Sequence, residues 1–399
     1  MFTKNLSLIL LTNILLGAPM PMLIILGGLA GASLAPLDTL ITVPVSAQLL
    51  AGILVASPLS LYMGRAGRKA GFLLVAATTS CGALMASTAL YLDNFWLLCV
   101  AHLIMGAALV GVNFLRFAAA EVVDEINRPN AISFTLASGI IAALFGPSLF
   151  QHTQTLVPTI DFLGAYLAIA VLGFLGSVPV LLMSLSVPVV SQPEIATRRA
   201  GVDYVRQLQQ LRPELKLAIG MAAVSQGMMV LMMVPTPQAM VTEGFVHAHA
   251  ADVIRWHVVA MFAPGLITGI LIKRFGLYRI IMTGLVFLLL AAILAMAGTG
   301  SINFYSALVL LGVGWNFGFI GGTQLLQQST SAEEQARWQG VNDTIIAIAS
   351  VGASVLSGVL YVTIGWLATS TIIVPIMLMA IAWLYKAMPV ELRLSANQR

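Results

Sequence analysis

Twelve long apolar stretches run along the chain, with polar residues gathered mostly in the short intervals between them. They lie near 5–29, 39–63, 71–92, 95–117, 131–151, 162–186, 215–240, 252–272, 278–298, 303–327, 341–364 and 366–385. Each is about 20–26 residues long, enough for a helix to cross the roughly 30 Å hydrocarbon core of a bilayer. Hydrocarbon offers no water to backbone N–H and C=O groups. A spanning segment must therefore satisfy them internally, so the pattern predicts twelve helices and no open sheet. The first stretch, Leu6–Leu29, exceeds the 7–15-residue apolar core of a secretory leader. Lys4 and Ala30-Gly31-Ala32 are accordingly read as flanks of a membrane helix, not as leader and cleavage site.

Composition excludes a soluble fold. Hydrophobic residues make up 59% of the 399 and charged residues 9%, whereas soluble domains carry about 25% charge. The net charge of +4 does not point to nucleic acid, because the cations sit in the intervals, where they set topology. Cys81 and Cys99 fall inside apolar stretches and read as small buried hydrophobes. His247, His249 and His257, with Glu243 and Asp252 nearby, fit no metal-binding spacing. No phosphate-binding glycine-rich loop or soluble catalytic module is visible. Neither a metal, a cofactor nor an enzymatic activity is expected.

Lysine and arginine orient the chain. Lys4, Arg65, Arg68, Lys69, Arg128, the group from Arg198 to Lys216, Lys273, Arg274, Arg279, Arg337, Lys386, Arg393 and Arg399 all fall on one side if the helices alternate. Only Arg255 belongs to the other side, and Arg116 lies within or at the end of helix 4. The bias predicts both termini in the cytoplasm. Val187–Glu214 is the longest polar stretch, with three prolines. It reads as a cytoplasmic linker (187–214) between an N-terminal six-helix half (1–186) and a C-terminal one (215–399), with a short surface helix at Tyr204–Leu211.

The halves repeat. Arg65-Ala66-Gly67 matches Arg274-Phe275-Gly276, Asn94-Phe95-Trp96 matches Asn303-Phe304-Tyr305, and Asp124-Glu125 with Arg128 matches Glu333-Glu334 with Arg337. All three pairs are 209 residues apart (274−65, 303−94, 337−128). One shared offset at corresponding places argues for internal duplication. Parallel six-helix repeats about an axis along the membrane normal form a transporter architecture whose substrate site lies mid-membrane between the halves.

These residues resemble the major facilitator superfamily. Its signature after helix 2, Gly-x-Leu-x-Asp-Arg-x-Gly-Arg-Lys, aligns with Ser60–Lys69, ending Arg65-Ala66-Gly67-Arg68-Lys69, with Gly64 at the acidic position. Gly269–Gly276 resembles the weaker second copy, with Lys273 at that position. Gly146-Pro147 in helix 5 is similar to part of a motif associated with antiporters, while Phe150 and Gln151 replace the glycines that follow it. In helix 4, His102 stands where the family often has arginine, four residues before Gly106. The resemblance covers essentially the whole chain. It implies an all-α integral membrane protein of two pseudo-symmetric six-helix bundles, working by alternating access. It also implies that Arg65, Gly67, Arg68, Lys69, Glu121, Asp124, Arg128, Arg274, Gly276 and Arg337 form a cytoplasmic gate.

Polar residues inside the apolar stretches are the candidate site. At 100° per residue, His102, Asn113 and Arg116 fall within about 60° of each other on helix 4. A cation in hydrocarbon is costly, so this stripe should face protein or water. Arg116 would bind an anionic group or else snorkel and pair with Glu121. Trp315 and Asn316, at the middle of helix 10 among glycines 312, 314, 318, 321 and 322, together with Asn13, Gln48 and Gln226, complete the candidate cavity. His102, His257 (one turn into helix 8) and Asp343 are candidates for carrying a proton. Asp343 would alternatively cap the start of helix 11. The expectation is a monomeric, proton-coupled inner-membrane carrier of a small amphipathic or anionic organic solute. Export is favoured by the helix 5 motif, and uptake of a vitamin, siderophore or metabolite is the alternative. A transporter-derived receptor or an intramembrane enzyme is the reading from a different class.

Overall fold

The computed structural model describes residues 3–185 and 212–388, and every regular element within them is helical. The N-terminal half comprises α1 (Lys4–Leu34), α2 (Val43–Ala66), α3 (Arg68–Tyr91), α4 (Phe95–Glu121), α5 (Arg128–Thr153) and α6 (Leu163–Leu182). The C-terminal half begins with α7 (Pro213–Thr242), α8 (His247–Phe275), α9 (Leu277–Met296) and α10 (Ser301–Gln328). Helical hydrogen bonding then runs over Ala332–Ala387, 56 residues. That length corresponds to about 84 Å at 1.5 Å per residue, far more than one bilayer. Gly365, at φ 80 and ψ 174, divides it into α11 (332–364) and α12 (366–387). The twelve spans match the twelve apolar stretches. The stretch 187–214, expected to be a linker with a surface helix at Tyr204–Leu211, lies almost wholly outside the described residues.

Two starts come earlier than hydropathy placed them. α8 begins at His247, because His247-Ala-His-Ala-Ala is alanine-rich and helix-forming in spite of its polarity. α11 begins at Ala332 behind a capping box: the Ser331 hydroxyl accepts from the Glu334 N–H, and the Glu334 carboxylate accepts from the Ser331 N–H. This corrects two placements. His257 lies about three turns into α8, and Asp343 lies well inside α11, where it cannot cap the helix.

Several spans are broken mid-way. α1 breaks at Ala18, with Pro19 opening its second piece, where a missing N–H costs nothing. α4 breaks between Val112 and Leu115, and α7 between Met233 and Thr236. α8 bends by 43° between Phe262 and Gly265, at Pro264.

The duplication is visible in the backbone. Gly67, between α2 and α3, has φ 88 and ψ 157, and Gly276, between α8 and α9, has φ 90 and ψ 148. Helix crossings repeat as well. A Cβ on Gly106 of α4 would meet the Gln48 backbone of α2 at 2.3 Å, and one on Gly312 of α10 would meet the His257 carbonyl of α8 at 2.6 Å. Small residues permit such close crossings.

All the described polar ends that carry Lys4, Arg65, Arg128, Lys273 and Lys386 fall at one end of the bundle, here termed the basic end. One apolar core cluster, including Leu6, Leu59, Phe72 and Val180, belongs to the N-terminal half alone and sits at that end. The larger core runs through both halves, joining Met22, Leu26 and Phe150 to Met232, Ile254 and Met261. The halves are thus packed together toward the opposite end.

Candidate functional site

Hydrogen bonds seal the opposite end. Arg255 of α8 donates to Ser148 Oγ of α5 at 3.1 Å, and Gln151 of α5 donates to the Ala248 carbonyl of α8 at 3.0 Å. Between α2 and α11, Thr42 donates to the Ser354 carbonyl at 2.8 Å, and Ser46 Oγ meets Ser354 Oγ at 2.8 Å. Arg255, the single cation assigned to this side, is held by Asp252, which also accepts from Tyr305 of α10 at 2.7 Å. A charge is thereby placed against the other half without being left unpaired.

Three ion pairs are described at the basic end, and none of the three joins the two halves. Arg68 pairs with Glu121 at 2.7 Å, Arg128 with Glu125 at 3.2 Å, and Arg212 with Glu334 at 2.7 Å. The Arg212 hydrogen bond, with help from the Ser331 N–H, holds the Glu334 carboxyl below its ordinary range. Lys69 donates to the Leu181 and Met183 carbonyls at 2.7 and 3.0 Å, capping the end of α6. Arg65 and Asp124 are exposed, and Arg274 and Arg337 lie over the neighbouring Phe275 and Trp338 rings. Glu121 is engaged by Arg68, so Arg116 does not pair with it. Arg116 sits exposed over Phe117 at 4.9 Å. It lies within electrostatic reach of Asp343 of the other half without touching it. Gln339 and Asn342 hold the Asp343 carboxylate at 2.8 and 3.2 Å.

α10 carries the middle of the site. Its glycines meet three neighbours: Gly318 and Gly322 face α7, Gly312 faces α8, and Gly314 and Gly321 face α9. Trp315 and Phe319, one helical turn apart, project between α7 and α8. Both of those helices touch the N-terminal half, so this wedge faces it. Trp315 and Phe319 stack at 4.9 Å and 17°, and Phe262 of α8 stands edge-on to Trp315 at 6.4 Å. Trp315 Nε1 donates to Gln226 Oε1 of α7 at 2.6 Å. All four side chains are partly exposed.

Asn316 points elsewhere. Pro264 supplies no N–H, and the backbone bonds of Leu266 and Ile267 shorten to three-residue spacing. The Met261 carbonyl is taken instead by Asn316 Nδ2 at 2.6 Å, while Asn316 Oδ1 accepts from Thr268 at 2.7 Å. Asn316 therefore braces the α8 bend. Asn13 makes a similar brace, donating from α1 to Thr135 and Ser138 of α5 at 2.9 Å each.

The helix 4 stripe is divided by the break at Asn113, which ends its regular angular progression. Asn113 and Arg116 are exposed. His102 is fully buried, with Nε2 2.8 Å from the Tyr166 hydroxyl of α6. His257 is fully buried too, and its Nδ1 must donate to the Leu308 carbonyl at 2.7 Å. Gln48 is buried at the crossing with Gly106, and its Oε1 has no partner.

Phe262, Phe319 and the sealing residues Thr42, Ser46, Ser148 and Ser354 were not among the sequence candidates. Phe319 had a signal, its i,i+4 spacing from Trp315. The hydroxyl residues had none, because serine and threonine recur throughout apolar helices.

No family model matches the chain. A curated relative named riboflavin transporter RfnT, from Brucella anthropi, is 35% identical over 373 residues, covering 94% of this chain and 93% of that protein. YdeG of Bacillus subtilis, named an uncharacterized MFS-type transporter, is 29% identical over 321 residues, 78% of this chain and 74% of its own length. Among solved structures, that of the nucleoside transporter NupG superposes with TM-score 0.79 over 97% of this chain and 100% of NupG, at 14% identity. That likeness is one of fold.

Proposed function

The chain belongs to the major facilitator superfamily of membrane transporters, and from that premise we propose that it takes up riboflavin, or a close flavin analogue, across the inner membrane. The carrying observation is the 35% identity, over 94% of this chain, to a protein named as a riboflavin transporter. A transporter, rather than an enzyme, is what the relatives and the fold have in common.

Uptake replaces the export favoured by the helix 5 motif. Gly146 gives α1 close access, since a Cβ there would come 2.2 Å from the Ala18 carbonyl, and the neighbouring Ser148 accepts from Arg255. This segment serves the seal between the halves, which transport in either direction needs. The motif therefore gives export no preference, and a vitamin substrate favours uptake.

The mechanism is alternating access. With the basic end taken as cytoplasmic, the packed opposite end corresponds to a carrier open toward the cytoplasm. Closing the basic end would draw Arg116 of α4 toward Asp343 of α11, joining unlike charges across the two halves. Such a contact exists in one state only, so it biases the equilibrium between the two states. Asp343 is also the one exposed residue among the three proton candidates. His102 and His257 are buried in helix-to-helix bonds. One chain contains both halves and therefore a complete pathway.

The test is growth of a riboflavin-requiring bacterium expressing the protein. The expected result is rescue at low external riboflavin, abolished by a protonophore and by Asp343→Asn. Absence of rescue, with the protein demonstrably in the membrane, would overturn the uptake reading.

A further inference from the structure

The aromatic group on α10 and α8 has a chemistry that the transport proposal leaves unspecified. Trp315 and Phe319 form a parallel stack, Phe262 closes one flank of the indole, and all three rings are partly open to the space facing the N-terminal half. Trp315 lies at the centre of α10, fourteen residues from Ser301 and thirteen from Gln328. Tyr305, in the sealed layer, is ten residues away, about 15 Å along the axis. The stack thus lies at mid-membrane, beneath the seal.

Gln226 gives this platform its polarity. An indole N–H can only donate, so the atom it meets at 2.6 Å is the amide oxygen. The amide is fixed in that orientation, and its Nε2 hydrogens have no partner among the described residues. Two donors are therefore held beside an aromatic face in a largely apolar surround. Aromatic rings add to such a stack in offset layers. A free donor there selects a ring that carries an acceptor at its edge.

We propose that Trp315, Phe319 and Phe262 form the binding platform for a fused planar heteroaromatic ring. Gln226 Nε2 donates to a carbonyl or ring nitrogen at the ring's edge. The ligand class is carbonyl-bearing fused heterocycles, of which the isoalloxazine of riboflavin is one, and the polyol tail is not the recognised part. This assignment rests on the flavin reading.

The experiment measures equilibrium binding to purified protein using riboflavin, lumiflavin (the ring without its ribityl chain) and ribitol (the chain without its ring). Riboflavin and lumiflavin should bind with affinities within about tenfold of each other, and ribitol should not compete. Base-on-aromatic stacking corresponds to at least about a fivefold loss on alanine substitution. Trp315→Ala and Phe319→Ala should weaken both flavins by that factor or more. Trp315→Phe, which keeps a ring, guards against misfolding: it should bind within a few-fold of the parent. Indole is an efficient quencher of a stacked flavin, so bound-flavin fluorescence should recover in this variant. Gln226→Leu should weaken lumiflavin but not an analogue whose edge lacks acceptors. If riboflavin binds the parent protein but the alanine variants bind it within twofold, or if ribitol competes, the platform is wrong and the flavin reading stands. If neither flavin binds the parent, the flavin reading itself falls and this assignment with it.

Discussion

Two adjacent residues, Trp315 and Asn316, separate what the sequence offered as one site. They lie about 100° apart on α10. One side chain enters the space between α7 and α8 toward the other half, and the other is spent on α8 itself. Their polarity at mid-membrane was legible. Which neighbour each would meet was not, because that depends on the crossing of α8 and α10 and on the Met261 carbonyl left open where α8 bends. Asn316→Ala leaves the Met261 carbonyl without its donor. An unsatisfied buried group costs about 1–3 kcal/mol, and interhelical bonds in membranes average about 0.6 kcal/mol. The expected outcome is a lower thermal midpoint in detergent with riboflavin affinity unchanged within twofold. A lost affinity at an unchanged midpoint would make Asn316 a substrate contact and not a brace. His102 and Asn13 follow the same logic: each is a polar residue in an apolar helix that joins two helices of one half.

At the scale of elements, twelve spans, their alternation and the 209-residue repeat could all be read from the pattern of apolar runs and charges. Helix starts could not, because the first turns of α8 and α11 are polar and hydropathy does not register a capping box. The repeat also has a backbone consequence invisible to residue matching. Gly67 and Gly276 both turn the chain at φ near 90 with extended ψ, a region essentially reserved for glycine, where other residues cost about 1–3 kcal/mol. Nothing lies within 4 Å of a Cβ built on Gly276, so Gly276→Ala tests strain without a clash. Gly64 supplies the opposite sign: it is helical, exposed and equally open. Replacing a glycine inside a helix with alanine gains about 0.5–1 kcal/mol. Gly276→Ala should therefore lower the thermal midpoint and Gly64→Ala raise it slightly. Equal effects in the same direction would show that the turn conformation does not govern stability at these glycines.

The whole molecule is two halves joined mainly at one end. Duplication and membrane insertion were legible because they follow from composition and spacing. Of the seal only Arg255 stood out, as the one cation on its side; Thr42, Ser46, Ser148 and Ser354, which make most of the other contacts, resemble every other hydroxyl residue in an apolar helix. Alternating access requires that this seal open once per cycle. Ser46 Oγ and Ser354 Oγ lie 2.8 Å apart across the halves, so Ser46→Cys with Ser354→Cys places two thiols within reach of a disulfide. Cys99 is buried, and the exposed Cys81 is changed to serine to prevent competing oxidation. Oxidation of this variant should reduce riboflavin transport by at least about tenfold while leaving binding from the basic end intact, and reductant should restore it, because the bond fixes one state without removing the site. Full transport by the oxidised protein would mean that the halves do not part at this layer. An unstapled variant that binds riboflavin but never moves it would instead describe a receptor built on a transporter fold.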